Sequence, residues 1–216
     1  MATPLPPDET YAARLEIDYP AGELNRVTTA FRIIWIIPIL IIAALAGGGA
    51  GSIGGFAGGE GGGAGASVGG ALFLATALMI IFRQKYPHWW FTFLRELARF
   101  EHRVGAYAAL LTDAYPSTED EQVVHLDIDY PDVPRDLNRW LPIVKWLLAI
   151  PHYIVLIFLF IGAFFAVIVA WFAILFTGTY PRGLFDYVVG VFRWSLRVQA
   201  YAFYLVTDRY PPFSLR

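Results

Sequence analysis

YPRGLFDYVVGVFRWSLRVQAYAFYLVTDRYP, at residues 180–211, is the stretch that decides the fold, because the chain carries it twice. The earlier copy, at residues 86–116, is YPHWWFTFLRELARFEHRVGAYAALLTDAYP. At about 100° per residue, a helix through either copy gathers polar side chains on one face and apolar ones elsewhere. That face carries Asp186, Arg193, Arg197 and Tyr204 in the later copy and Thr92, Glu96, Arg99 and Arg103 in the earlier one. Both copies are therefore predicted to be amphipathic helices.

The arginines of these helices decide how the helices meet a membrane. Two arginines near the centre of a membrane span would cost about 5 to 7 kcal/mol on insertion scales. A helix that lies in the membrane interface avoids most of this cost. We therefore predict two interfacial helices whose basic faces point towards lipid headgroups, solvent or another subunit. The candidate lipid or partner contacts are Arg99, Arg103, Arg193 and Arg197.

The composition is that of a membrane protein. Hydrophobic residues make up 57% of the 216 residues and aromatic residues 17%, whereas about half of an average soluble protein is apolar even with glycine included. All 16 Lys and Arg residues lie outside 33–82 and 146–181. The chain has no cysteine, which excludes disulfides, thiolate nucleophiles, and zinc or iron–sulfur sites held by cysteine.

The two uncharged regions predict four spanning helices. Residues 33–46 and 71–82 are apolar and flank a glycine-rich segment at 47–70, which indicates a hairpin of two spans. The glycine-rich segment is predicted to be a loop, and an extension of either helix into it is the alternative. Pro38 lies in the first span and is predicted to kink it.

The second uncharged region, residues 146–176, would measure about 46 Å as one helix, more than a hydrocarbon core of about 30 Å. Two spans with a turn near Gly162, the first kinked at Pro151, are therefore predicted. The alternative is a single tilted span preceded by an interfacial segment. That alternative places Arg135 and Arg182 on opposite sides of the membrane, against the positive-inside rule.

Short strands precede both hairpins. Residues 14–19 and 123–130 alternate apolar and polar side chains, and both end in Asp-Tyr-Pro, a pattern typical of strands. Each is followed by Leu-Asn-Arg, at 24–26 and 137–139, and each amphipathic helix ends in Thr-Asp-x-Tyr-Pro. We expect the strands to pair with each other or with copies in a neighbouring subunit.

The sequence thus predicts an all-α integral membrane protein with four transmembrane helices arranged as two parallel repeats. Each repeat has a short cytoplasmic β-strand, a spanning hairpin and an amphipathic interfacial helix. The predicted parts are a disordered tail (1–13), repeat 1 (14–116), a linker (117–122) and repeat 2 (123–216). The repeats would be related by a pseudo-two-fold axis along the membrane normal. The basic residues predict a multi-pass protein of the inner (plasma) membrane with both termini in the cytoplasm.

The second repeat carries a family resemblance. The segments IPHYIVL at 150–156 and FAILFTGTYPRGLFDYVVGVFRWSLRVQAYAFYLVTDRYPPFSL at 172–215, with the Asp-Tyr-Pro and Leu-Asn-Arg elements, resemble a bacterial, largely actinobacterial, membrane family catalogued as domain of unknown function 4389. The resemblance covers nearly all of 14–215 as two tandem copies, and the first copy is divergent. It implies a membrane architecture and assigns no reaction, substrate or catalytic residue.

Residues that could carry chemistry are few. His125, Asp127 and Asp129 would share one strand face and could offer a divalent metal three ligands, but the polar side of a half-buried strand explains them better, since the first repeat has Arg14 there. His152 is predicted to have a packing role or to form an interfacial hydrogen bond. No motif indicates a catalytic site, a cofactor or nucleic-acid binding.

Two functional hypotheses follow. The first is a structural or accessory subunit of a membrane complex or homo-oligomer, with anionic lipids as partners on the cytoplasmic leaflet. The second is an oligomeric channel or transporter component for a small solute or ion. A pore needs polar groups around a shared axis, and the predicted spans supply few beyond Thr76 and Thr177. The first hypothesis is preferred, and an enzymatic role is not expected.

Overall fold

The computed structural model describes residues 11–47, 63–118, 120 and 122–216. The first half of the described chain contains strand β1 (Ala13–Ile17) and helices α1 (Arg26–Ala30), α2 (Arg32–Gly47), α3 (Gly63–Leu78) and α4 (His88–Ala108). A π-helical turn, Met79–Arg83, continues α3. The second half contains strand β2 (Val124–Ile128) and helices α5 (Val133–Asp136), α6 (Pro142–Leu148), α7 (Ile150–Thr177) and α8 (Arg182–Ala202).

The two strands form an antiparallel pair, which confirms that they pair with each other. Leu15 lies opposite Leu126 in the register, and each of these residues stands three positions before the Asp of Asp-Tyr-Pro. The apolar side chains of both strands are buried, and the intervening polar ones lie on the outer side. Equivalent residues therefore meet at the centre of the sheet, so a local two-fold axis passes between them, normal to the sheet.

Helices α4 and α8 form a layer beneath the sheet. On α8, Arg193 Nε donates to Leu15 O at 3.0 Å, while Trp194 and Val198 pack against Leu156 of α7. On α4, Arg99 faces β2 and Phe100 packs against α2. Both helices are thus covered by the sheet on one side and by an apolar helix on the other. The described molecule has three layers: the sheet, then α4 with α8, then α2, α3 and α7.

The second repeat corrects the predicted topology. Among the described helices, α7 alone is long and apolar enough to cross a membrane, and it runs through Gly162 without a turn. The prediction of four transmembrane helices is therefore wrong. Gly162 is a packing site, because a Cβ atom there would collide with the hydroxyl of Tyr187, which donates to Leu159 O at 3.0 Å. A single glycine costs a helix only about 1 kcal/mol, so it does not force a turn.

The first repeat departs from the prediction in a different way. α2 has 16 residues, which gives about 24 Å at 1.5 Å per residue, less than the hydrocarbon thickness of about 30 Å. Pro38 stands inside α2, as expected. Of the glycine segment predicted as a loop, residues 48–62 lie outside the described residues, whereas residues 63–70 belong to α3, in line with the alternative of a helix that extends into the segment. At the N-terminal side, Tyr11 to Ala13 belonged to the predicted tail, yet both Tyr11 and Ala13 are buried.

Candidate functional site

The predicted basic faces lie between the helices and the sheet. Arg99 Nη2 donates to Leu126 O at 3.2 Å, and Arg193 Nε donates to Leu15 O at 3.0 Å. Each helix therefore binds the strand of the other repeat, through residues that occupy matching places in the two copies. Arg99 also pairs with Glu96, three residues earlier, with Nη1 and Oε2 2.5 Å apart. These contacts fasten the two repeats together.

The other two arginines hold the chain that follows each helix. Arg103 and Arg197 are 7% and 2% exposed. Arg103 Nη1 donates to Ser117 O at 2.5 Å, and Arg197 Nη2 donates to the backbone oxygen of Arg216. All four arginines of the predicted basic faces thus donate to the protein's own backbone. Their contact with lipid or a partner stays a prediction.

A buried ion pair closes each repeat. Arg32 Nη2 lies 2.6 Å from Asp113 Oδ1, and Lys145 Nζ lies 2.7 Å from Asp208 Oδ1. Both cations are almost fully buried. They also lie over tyrosine rings, at 3.9 Å from the Tyr107 ring centroid and 5.2 Å from that of Tyr201. We call each pair a clamp, because it joins α2 or α6 to the segment that follows α4 or α8.

The aspartate of each clamp has a second task. Asp113 Oδ2 accepts from the backbone N–H of Asn25 at 2.7 Å, and Asp208 accepts from that of Asn138. Asn25 in turn caps α1 through its side-chain oxygen. Burial lowers the pKa of the Lys145 ammonium, and the nearby Asp208 carboxylate opposes that shift. Sequence reasoning did not pair these residues, although the aspartates belong to the repeated Thr-Asp-x-Tyr-Pro motifs and the cations stand six residues after each Leu-Asn-Arg.

The weak metal candidates are engaged with neighbouring charges on the outer side of the sheet. Arg14 Nη2 lies 2.7 Å from Asp127 Oδ2 and 2.6 Å from Asp129 Oδ1. His125 Nε2 lies 3.1 Å from Asp18 Oδ2. Within the part of the chain that the structure describes, no group of three or more His, Asp or Glu side chains is placed to hold a metal ion.

His152 is enclosed by aromatic rings at the start of α7. Trp194 Nε1 donates to His152 Nδ1 at 3.1 Å, so Nδ1 carries no proton, since an indole N–H can only donate. The imidazole also stacks on Phe213, with ring centroids 4.0 Å apart. This agrees with a packing role. The neighbouring Pro151 lies in the first turn of α7, where a missing N–H breaks no helical hydrogen bond.

One carboxyl group was missed by the sequence reasoning. Glu101 lies on α4, and burial raises its pKa to about 7. Its negative charge is one cause that raises the pKa of the Tyr204 phenol, after burial of that phenol. The matching place in the second repeat is Ser195. The helical pattern gave no signal, because Glu101 stands outside the predicted polar face.

The outward side of the third layer is apolar and exposed, and we call it the apolar outer surface. It follows α7 from end to end and continues over α2 and α6. Its large side chains include Ile34, Trp35, Ile37, Leu40, Ile41, Ile143, Trp146, Leu147, Ile154, Phe158, Ile161, Phe164, Phe165, Val169, Phe172 and Phe176. Soluble monomers rarely expose a contiguous apolar patch larger than a few hundred Å². This surface is therefore the strongest candidate for function.

Cations border the apolar outer surface next to exposed aromatic side chains. Arg139 Nε donates to Ile81 O, which holds the segment before α6 against the π-helical turn that contains Arg83 and precedes Lys85. All three cations are exposed. Phe82 and Trp140, beside them in the sequence, are 71% and 64% exposed. In the matching place of the other repeat, Thr177 and Thr179 replace Arg83 and Lys85.

Comparison with known proteins gives one match. Residues 141–214 match the family model described as domain of unknown function (DUF4389). No curated protein and no solved structure matches the chain. The matched segment contains α6, α7 and α8 with the Lys145–Asp208 clamp and His152. Two tandem copies stay a prediction, because the match covers the second repeat only. Residues 141–214 of this chain are therefore similar to the DUF4389 family.

Proposed function

We propose that this protein is a membrane-bound structural or accessory protein that contacts lipid through its apolar outer surface. The single observation that carries the proposal is the exposed apolar face of α7, together with the exposed apolar side chains of α2 and α6. Leaving a Leu, Ile or Phe side chain in water instead of an apolar environment forgoes about 1.5 to 3 kcal/mol. More than a dozen such side chains share this face, so lipid contact is strongly favourable.

We further propose that the sheet faces the cytoplasm, with the protein on the inner (plasma) membrane and both chain ends cytoplasmic. Two contacts support a common location of the ends. Tyr11 Oη donates to Arg209 O at 3.0 Å, and Arg216 O accepts from Arg197. Both ends of the described chain therefore lie near α8 and the segment that follows it.

Anionic lipids are the proposed partners at the membrane. Arg83, Lys85 and Arg139 are exposed beside the apolar outer surface, where headgroup phosphates would lie. Each cation near an anionic leaflet contributes about 1 kcal/mol of attraction. Other membrane-protein subunits or further copies of the chain are proposed as lateral partners. The identity of these lateral partners would distinguish an accessory subunit of a larger complex from a homo-oligomer of this chain.

Membrane fractionation tests the lipid contact. The protein should sediment with membranes, resist extraction at alkaline pH and high salt, and be released by detergent. Replacing Phe158, Phe165 and Phe172 with glutamine should shift it towards the soluble fraction, because these side chains point outward from α7. The matched control is Glu16, Asp127 and Asp129 replaced with glutamine or asparagine on the sheet, which should leave the distribution unchanged. Recovery of the unaltered protein in the soluble fraction would contradict the proposal.

Vesicle flotation tests the anionic preference. Vesicles with phosphatidylglycerol should bind the protein more tightly than vesicles of phosphatidylcholine alone. Replacing Arg83, Lys85 and Arg139 with glutamine should remove most of that difference. The matched control replaces Arg14, which lies on the outer side of the sheet, together with the exposed Arg135 and Arg209, and should have a smaller effect. Equal effects of both triple variants would assign the preference to overall charge. Cross-linking in native membranes followed by mass spectrometry would identify the lateral partners.

A further inference from the structure

We propose that α7 lies in the plane of a single membrane leaflet and does not cross the bilayer. The inference rests on the lipid contact proposed above and specifies its geometry. It concerns the whole third layer, because α2 and α7 cover the same side of the molecule. The occupant of the apolar outer surface would then be the acyl and headgroup boundary of one leaflet.

Helices α7 and α8 run in opposite directions. His152, early in α7, receives a hydrogen bond from Trp194, late in α8. Leu159, about two turns further along α7, receives one from Tyr187, which lies early in α8. Position along one helix thus rises as position along the other falls. The two helices are antiparallel neighbours, so α8 takes whatever orientation α7 takes in the membrane.

Helix α8 packs against the sheet on the side that faces away from α7. Arg193 of α8 donates to Leu15 of β1, so the sheet runs alongside α8, opposite α7. If α7 crossed the bilayer, α8 and the sheet would lie at the depth of the hydrocarbon. The outer side of the sheet exposes Glu16, Asp18, Asp127 and Asp129. Charged side chains and open sheet edges are not tolerated against lipid.

Helix α4 of the first repeat is placed in the same way. Arg99 of α4 donates to Leu126 of β2, while Phe100 and Val104 of α4 pack on Ile36 and Ile39 of α2. The same three-layer order therefore holds on both sides of the local two-fold axis. An axis normal to the sheet is then normal to the third layer as well. Two repeats related in this way can share one membrane surface only if that layer is parallel to it.

The distribution of charge favours a leaflet over a second copy of the chain. Arg83, Lys85 and Arg139 border the apolar outer surface, whereas the carboxylates of the sheet lie on the opposite face. Four tryptophans are also exposed in the helical part: Trp35, Trp89, Trp140 and Trp146. Tryptophan and basic residues are characteristic of headgroup depth. A helix in the plane also leaves Arg135 and Arg182 on one side of the membrane, which removes the conflict with the positive-inside rule.

Spin labels on single cysteines test the geometry, and the chain has no native cysteine to interfere. The sites are Ile154→Cys, Phe165→Cys and Phe176→Cys, which are all exposed and lie on one face of α7 at spacings of about three turns. In vesicles of phosphatidylglycerol and phosphatidylethanolamine, accessibility to oxygen and to a water-soluble nickel chelate reports depth. A helix in the plane gives three similar depths of about 5 to 10 Å. A crossing helix gives a deep central label and two shallow ones.

Chemical labelling gives a second readout. Arg135→Cys and Thr179→Cys stand before and after α7, and both sites are exposed. A membrane-impermeant maleimide should modify both from the same side of oriented vesicles, with Asp127→Cys as the water-exposed control. Modification from opposite sides, or a deep central spin label, would overturn the inference while leaving lipid contact intact. Labels that are accessible neither to oxygen nor to the nickel chelate, with short label-to-label distances between copies, would show that a second copy of the chain covers the surface. That result would also overturn the inference. Loss of the chain from vesicles would overturn the proposed function too.

Discussion

The clamps are the residue-scale feature that both repeats share, although one uses Arg32 and the other Lys145. In each case a nearly buried cation meets one aspartate, and the aspartate also accepts from the backbone of the Leu-Asn-Arg motif. Removing one partner of a buried pair leaves an uncompensated charge, which costs about 3 to 5 kcal/mol. The clamps therefore contribute more to the stability of the repeats than an exposed ion pair would.

We expect Asp208→Asn to lower the free energy of unfolding by about 3 kcal/mol, because Lys145 stays buried without its carboxylate. Asp113→Asn should have a similar effect through Arg32. The matched control is Asp186→Asn, since Asp186 is exposed on α8 and should change stability by less than about 0.5 kcal/mol. Thermal unfolding in detergent measures all three. Equal midpoints for Asp208→Asn and Asp186→Asn would show that the clamp does not stabilise the fold.

Glu101 predicts a pH dependence of stability. Its folded pKa is about 7, above the ordinary value of 4.5, so the folded state binds the proton more tightly than the unfolded state. Its contribution is therefore fully favourable below about pH 4.5 and is lost as the pH rises through 7. Glu101→Gln should stabilise the protein by about 1 to 3 kcal/mol at pH 8 and much less at pH 5. Glu96→Gln is the control and should not stabilise, because Glu96 pairs with Arg99. A pH-independent effect of Glu101→Gln would contradict the assignment.

Residue spacing predicted which side chains share a face but not what covers that face. Arg193 and Arg197 do lie on one side of α8, as 100° per residue requires. Their acceptors, Leu15 O and Arg216 O, are distant in the sequence and are backbone atoms, which carry no sequence signal. The prediction that these arginines point towards headgroups used only the fact that they share one face of the helix.

At the scale of elements, Gly162 shows how a glycine can mislead. A turn at Gly162 would have divided the helix into two segments that each fit within the hydrocarbon core. The structure instead continues α7 and brings Tyr187 of α8 against the missing side chain. Glycine permits both a turn and a close helix contact, so only the partner helix decides between them. The strands were easier to predict, because alternation of apolar and polar residues fixes both the element and its buried side.

A double substitution tests the contact between α7 and α8. Gly162→Ala should lower the free energy of unfolding by about 1 to 3 kcal/mol, because the new methyl group collides with the Tyr187 hydroxyl. Tyr187→Phe removes that hydroxyl and should recover part of the loss in the double variant. Gly183→Ala, at a position with open space around it, is the control. Additive effects in the double variant would mean that Gly162 acts through the helix backbone and not through Tyr187.

At the scale of the whole molecule, the two repeats are held together because each donates hydrogen bonds to the backbone of the other. Tyr19 of the first repeat donates to the backbone oxygen of Tyr180, and Tyr130 of the second donates to that of Tyr86. These contacts follow the same local two-fold axis as the strand pair. The duplicated motifs predicted the two-fold relation from the sequence, since both copies have the same order of elements. Sequence could not predict that each helix packs on the strand of the other repeat, because both arrangements satisfy the same periodicity.

These contacts between the repeats predict how the second repeat behaves when it is expressed alone. In the intact chain, Arg193 takes Leu15 O from the first repeat, and β2 takes β1 as its antiparallel partner. Because Leu15 and Leu126 are equivalent about the axis, a second copy of β2 could replace β1 and supply Leu126 O to Arg193. A fragment of residues 123–216 should therefore form a homodimer in detergent, while the intact chain needs no second copy for this contact.

Light scattering coupled to size-exclusion chromatography measures the protein mass of that fragment. Leu126→Pro in the same fragment should prevent dimerisation, because proline removes a backbone donor and does not fit within a strand ladder. Trp140→Gln is the control, since Trp140 lies away from the sheet, is exposed and should leave the dimer intact. A folded monomer of residues 123–216, with α8 still protected from hydrogen exchange, would show that the second repeat does not need a strand from outside itself.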